Sequence, residues 1–156
     1  MSDFFLKVKA TIEKNEIMGD ILYVILGFLM AYLFYAGLGF ALGTQNPVVT
    51  VVSGSMLPTL ERGDALILNS VTPEELVFGR MNGTIIVYYQ PSMKKLIVHR
   101  AYKKNEDGTY KTWGDNNPFA DPWSLTHDQI RGKVLLRIPY MGYPKLILSD
   151  LINMLR

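Results

Sequence analysis

The chain has 156 residues, 49% of them hydrophobic and 19% charged, which is enough for one folded domain and excludes a disordered chain. Sixteen Lys and Arg against fourteen Asp and Glu leave a net charge of +2, too small an excess for a nucleic-acid-binding surface spread over the whole chain. With no cysteine and only two histidines, His99 and His127, disulfides, thiolate nucleophiles, cysteine-ligated metals and multi-histidine clusters are excluded. Chemistry is left to Ser, His, Lys and the carboxylates.

In chain order, residues 1–20 carry Lys7, Lys9 and Lys14 beside Asp3, Glu13, Glu16 and Asp20. Phe4, Val8 and Ile12 recur at i, i+4 and i+8, the pattern of a short amphipathic helix on the inner membrane surface or of a solvated lead-in. Residues 21–42, ILYVILGFLMAYLFYAGLGFAL, are 22 consecutive uncharged positions. As a helix they rise about 33 Å, against a hydrocarbon core of about 30 Å. A domain this small has no interior to enclose a helix that is apolar on every face, so a transmembrane anchor is expected. Ala41-Leu42-Gly43 has the small-x-small spacing of a signal-peptide cleavage site. The apolar region of a cleaved signal runs only about 7 to 15 residues, however, and its lead is not acidic, so a retained anchor is the reading. Lysines precede the span, while residues 43–61 hold no lysine and their first basic group follows at Arg62. The N-terminus is therefore expected in the cytoplasm and everything after Gly43 outside it.

Beyond the anchor come short runs rich in β-branched and aromatic residues, at 48–52, 65–68, 84–89, 96–101, 110–113 and 133–138. Turn signals separate them, among them Pro58, Arg62-Gly63-Asp64, Asn82-Gly83, Gln90-Pro91, Asp107-Gly108 and Asn117-Pro118. They predict a mostly β domain over residues 44–142, with a hairpin of 96–104 and 109–113 around Asn105-Glu106-Asp107-Gly108. Asn82-Gly83-Thr84 fits a glycosylation sequon, but Asn-Gly leading straight into a strand favours a hairpin turn. In the tail, residues 143–156, Leu148, Leu151, Ile152 and Leu155 fall on one helical face with Ile147 at its edge. That helix is too short to span a bilayer; it either lies on the membrane surface or packs on the sheet.

Three segments carry candidate chemistry. Ser53-Gly54-Ser55 follows a β run in a turn of small residues, where a serine can be presented beside backbone N–H groups suited to an oxyanion. A serine hydroxyl needs a base within hydrogen-bond reach, and the candidate is His99, which alternation places on one strand face with Ile97 and Ala101 while Arg100 points away. A base needs an acceptor to fix its tautomer, and either Asp115 or Asp121, in the loop after the hairpin, supplies one. Taken singly, each is equally a polar turn or a structural histidine. Lys94 and Lys95 are rival bases, though a charged pair at a strand start is more naturally solvated.

Together the blocks resemble the signal peptidase I family, in its archaeal and endoplasmic-reticulum branch. The resemblance rests on the anchor, on Ser53-Gly54-Ser55-Met56-x-Pro58-Thr59 followed by Gly63-Asp64, and on the strand Thr84-Ile85-Ile86-Val87-Tyr88. It continues through Ile97-Val98-His99-Arg100 to Gly114-Asp115-Asn116-Asn117 with Asp121. One departure is visible: the strand block opens Gly83-Thr84 where the family has Gly-Asp or Gly-Glu. The resemblance implies a membrane-anchored serine endopeptidase with the family's β fold, removing N-terminal signal peptides from exported preproteins with small residues, of Ala-x-Ala type, before the cut. It further implies Ser55 as nucleophile, His99 as base where the bacterial branch has lysine, Asp121 as the residue orienting the histidine and Asp115 as the second acid. Ser53 would add a hydroxyl to the oxyanion site beside the backbone N–H of Ser55. No cofactor or metal is implied. The expected partners are secretory preproteins, the lipid bilayer and accessory subunits. The membrane is a plasma membrane, or the endoplasmic reticulum with the catalytic domain in its lumen. The competing readings are an inactive membrane-anchored binding or assembly module, and a Ser-base protease with one dedicated substrate.

Overall fold

A computed structural model describes residues 16–155, so the amphipathic stretch expected around Phe4, Val8 and Ile12 lies outside the described residues. The chain divides into two compact units, Met1–Leu38 and Gly39–Arg156.

Helix α1 (Glu16–Ala41) begins ahead of the uncharged run, taking in Ile17, Met18 and Asp20. Acids in the first turns of a helix, here Glu16 and Asp20, complement its dipole and do not stop it. Residues Ile17–Ala41 are long and apolar enough to cross a membrane. Large apolar side chains point outward all along the helix, Phe28 being 75% and Phe34 74% exposed, so it is no core helix. This fits a single-pass membrane protein.

The second unit is built on one antiparallel sheet of six strands. These are β1 (Val48–Thr50), β2 (Ala65–Asn69), β3 (Ile85–Gln90), β4 (Lys95–Lys104), β5 (Tyr110–Trp113) and β6 (Ile130–Ile138), in the spatial order β1-β2-β6-β3-β4-β5. The expected hairpin is present as β4 and β5, with Gly108 at φ +81° in its turn, the left-handed conformation that glycine adopts without strain. Asn82-Gly83 turns the chain into β3, but residues 70–81 directly before it form no strand. The loop is closed by Thr84 N–H donating to the Val77 carbonyl and Val77 N–H to Thr84 Oγ1, so the expected β-hairpin there is a loop. β6 starts earlier than the run at 133–138, because residues 130–132 also pair with β3, through Tyr88 with Ile130 and Val87 with Gly132.

Ile86, Val87 and Tyr88 in β3 are all fully buried, so this central strand is covered on both faces. Val87 packs with Val49, Val51, Met56, Leu60, Leu66 and Leu68. Ile86 and Tyr88 pack with Val71, Leu76, Ala101, Tyr110 and Leu125. Helix α2 (Tyr143–Met154) is held by Leu146, 5% exposed, a residue the apolar-face pattern did not single out. The face that was singled out is uncovered: Leu148, Leu151, Ile152 and Leu155 are 52–81% exposed.

Candidate active site

The chain reaches Ser55 from β1 through a short irregular stretch. Val51 keeps one last pair of backbone bonds, to Gly63 and Asp64, after which Val52 and Ser53 turn outward and Met56 plugs the core. Gly63-Asp64 holds this turn in place. Gly63 has φ +97°, and the Tyr143 ring packs where a Cβ would stand. The fully buried Asp64 carboxylate accepts from the Glu61 N–H and pairs with Arg137 of β6 at 2.6 Å. Arg137 also donates to the Thr59 carbonyl, fixing the far end of the turn.

Strand β4 brings His99 to this turn. His99 pairs across the ladder with Ile86, and its Nε2 lies 3.1 Å from Ser55 Oγ. Its Nδ1 lies 2.6 Å from Asp121 Oδ2. A carboxylate only accepts, so Nδ1 carries the proton and Nε2 is left free to accept from the serine. Asp121 returns to the histidine because its backbone N–H donates to the Thr112 carbonyl, folding the loop back over β5. Ser53 Oγ is 3.3 Å from Ser55 Oγ.

No family model matches the chain. Curated relatives do. The signal peptidase complex catalytic subunit sec11 of Schizosaccharomyces pombe is 33% identical, over 85% of this chain and 83% of its own length. That of Dictyostelium discoideum is 32% identical, over 96% of this chain and 88% of its own. SEC11 of Colletotrichum graminicola is 33% identical, over 77% and 74%. The chain belongs to the signal peptidase I family.

Within this signal peptidase fold Asp115 does not reach the histidine. Its side chain, 1% exposed, binds Arg100, with Nε to Oδ1 at 2.7 Å and Nη2 to Oδ2 at 3.0 Å, and accepts from Thr59 Oγ1 at 2.6 Å. Of the two aspartates it is Asp121 whose carboxylate lies against His99. Asp115 ties β4 to the serine turn. Its carbonyl accepts from Arg80, whose guanidinium lies over the Trp113 ring. Lys94 and Lys95 are exposed, and it is His99 that bonds Ser55.

Other residues around Ser55 and His99 had no role assigned to them from the sequence. Asn116, seen as part of a turn, donates its backbone N–H to the Ser55 carbonyl and its side-chain amide to the Gly54 carbonyl. Gly114 lets that loop approach: a Cβ there would stand 2.7 Å from both His99 Nε2 and the Ser55 carbonyl. Tyr88 and Thr112, which looked like ordinary strand residues, both donate to Asp121 Oδ2, and Trp123 Nε1–H donates to the Tyr88 hydroxyl. Burial pushes the Tyr88 pKa well above the ordinary tyrosine value, so the phenol stays a donor. A cleft of about 520 Å³ opens beside Ser55 and His99, its walls largely apolar through Val49, Val51, Met56, Leu96 and Val98.

Proposed function

We propose that Ser55, His99 and Asp121 perform the family's reaction in this chain, a serine endopeptidase that removes signal peptides from preproteins. The observation that carries this assignment is the unbroken line from Ser55 Oγ through the His99 ring to Asp121 Oδ2, at 3.1 and 2.6 Å. His99 Nε2 takes the Ser55 proton as Oγ attacks the scissile carbonyl, and Asp121 stabilises the resulting imidazolium. The tetrahedral oxyanion is met by the Ser55 N–H and the Ser53 hydroxyl. His99 then gives its proton to the leaving amine, and the acyl-enzyme is hydrolysed by a water that the same nitrogen deprotonates.

The apolar cleft beside the nucleophile suits a neutral, extended segment of Ala-x-Ala type. Lysines before α1, and none in residues 43–61, support a cytoplasmic N-terminus with the β unit across the membrane. The uncovered apolar face of α2 supports contact with the lipid surface. The relatives are named as catalytic subunits of a complex, which supports accessory subunits here.

The test incubates detergent-solubilised protein, Ser55→Ala and His99→Ala with a preprotein bearing one Ala-x-Ala site, and maps the cut by mass spectrometry. Cleavage after that site by the parent alone is expected. Cleavage surviving in either variant places the active centre elsewhere.

A further inference from the structure

Tyr88 is a fully buried side chain in the middle of β3, in a cluster otherwise of apolar and aromatic residues, where a phenylalanine would pack as well. A hydroxyl there is costly unless each of its bonds is made, and they are made in one direction. Trp123 Nε1–H donates to the Tyr88 oxygen at 3.2 Å, and Tyr88 O–H donates to Asp121 Oδ2 at 3.0 Å. Thr112, also fully buried, donates to the same oxygen, which is the oxygen that accepts His99 Nδ1–H. Three donors therefore share one carboxylate oxygen.

We propose that Tyr88 and Thr112 are positioning residues that set the proton affinity of His99 through Asp121, an inference that rests on the assignment of Ser55, His99 and Asp121 above. Each donor fixes Oδ2 opposite the imidazole and draws off part of its negative charge. The shared oxygen then holds the ring through Nδ1–H without concentrating its whole charge on the imidazolium that forms when Nε2 takes the serine proton. The other charged groups around the ring are otherwise engaged or remote from its Nδ1 side. Lys95 and Lys145 line the cleft onto which Ser55 opens. Lys111 donates to the backbone oxygens of Asp121 and Pro122, not to the carboxylate. Arg100, the next residue in β4, is committed to Asp115.

The test follows proton uptake by His99 in the full chain in detergent micelles, by NMR of labelled histidine, with His127 distinguished by the His127→Gln variant. Tyr88→Phe and Thr112→Val each remove one donor with little change of shape, and Thr112→Ser restores it. In the first two, His99 is expected to take up its proton at higher pH than in the parent. On an Ala-x-Ala preprotein, kcat is expected to fall about tenfold with KM unchanged. Thr112→Ser should behave as the parent in both. Proton uptake unmoved or shifted to lower pH in Thr112→Val overturns the proposal, and so does the same result in Tyr88→Phe. If one of the two does not fold, the other decides alone. A parent that fails to cleave, or a Ser55→Ala variant that still does, counts against the protease assignment and leaves the titration to report on the coupling.

Discussion

Arg100 and Asp115 meet through two contacts, 2.7 and 3.0 Å, on the far side of β4 from the ring of His99. Neighbouring residues of one strand thus serve the site in opposite ways, His99 bonding Ser55 and Arg100 anchoring the loop beside it. Arg100→Ala leaves a carboxylate buried with only Thr59 and the edge of Arg80 for company, and removal of one partner of such a pair costs about 3–5 kcal/mol. A marked fall in the midpoint of thermal or denaturant unfolding is expected, and a midpoint within error of the parent would show the pair to be dispensable.

Gly114→Ala should damage activity more than stability. The added methyl would lie 2.7 Å from His99 Nε2 and from the Ser55 carbonyl, so the dyad must part for the loop to stay. A loss of about a hundredfold in kcat is expected with the fold retained, since small misplacements of reacting groups are costly. Circular dichroism beside a cleavage assay separates the two effects.

Asn116→Ala removes the side-chain donor to the Gly54 carbonyl while leaving the backbone bond to Ser55 in place. A milder loss, about tenfold, is predicted in kcat, with KM little altered. Equal activity of the variant and the parent would mean that the backbone bond holds the turn unaided.

Tyr88 also predicts a dependence on alkaline pH. Its folded pKa is raised by burial, so the unfolded chain loses the proton first. The stabilisation that this group contributes is intact below the ordinary tyrosine pKa of about 10 and is lost as pH climbs from there toward the folded value. Unfolding midpoints of the parent should fall above about pH 10 more steeply than those of Tyr88→Phe; parallel curves would contradict this.

Severing the anchor tests why it is there. Enzyme and substrate confined to one bilayer meet at high effective concentration. A fragment lacking residues 1–43, and with them all of α1, should therefore lose efficiency on membrane-inserted preproteins far more than on short peptides. Equal losses on both would refute the tethering explanation.

Much of this was legible in the residues themselves. Alternation and turn residues located the strands, and an uncharged run marked the anchor, because local backbone preference and burial act on contiguous residues. The segments holding Ser55, His99 and Asp121 stood out as a turn, a strand and a loop, while their roles came from the family resemblance. From the loop alone Asp115 and Asp121 could not be told apart, since both lie in one Asx-rich segment; only the family resemblance separated them. Which of them reaches His99 depends on a single backbone bond from Asp121 to Thr112, made only once the loop folds over β5. Tyr88 and Thr112 were invisible as site residues for a related reason. Their hydroxyls face Asp121 only through the pairing of β3 with β4 and of β4 with β5, with a bulge at Ala101/Lys103. The outward face of α2 was visible as a pattern, whereas its one buried anchor, Leu146, depended on how the helix is set against the sheet.

The side chains proposed to cut come from a turn, a strand and a loop, with 44 residues separating Ser55 from His99 and 22 separating His99 from Asp121. None of the three segments holds the whole constellation, and the strand pairing that unites them is complete only when β6 has slotted between β2 and β3. β6 is thus the seam between the half of the sheet that leads into the Ser55 turn and the half that carries His99, and the proposed constellation is assembled across it.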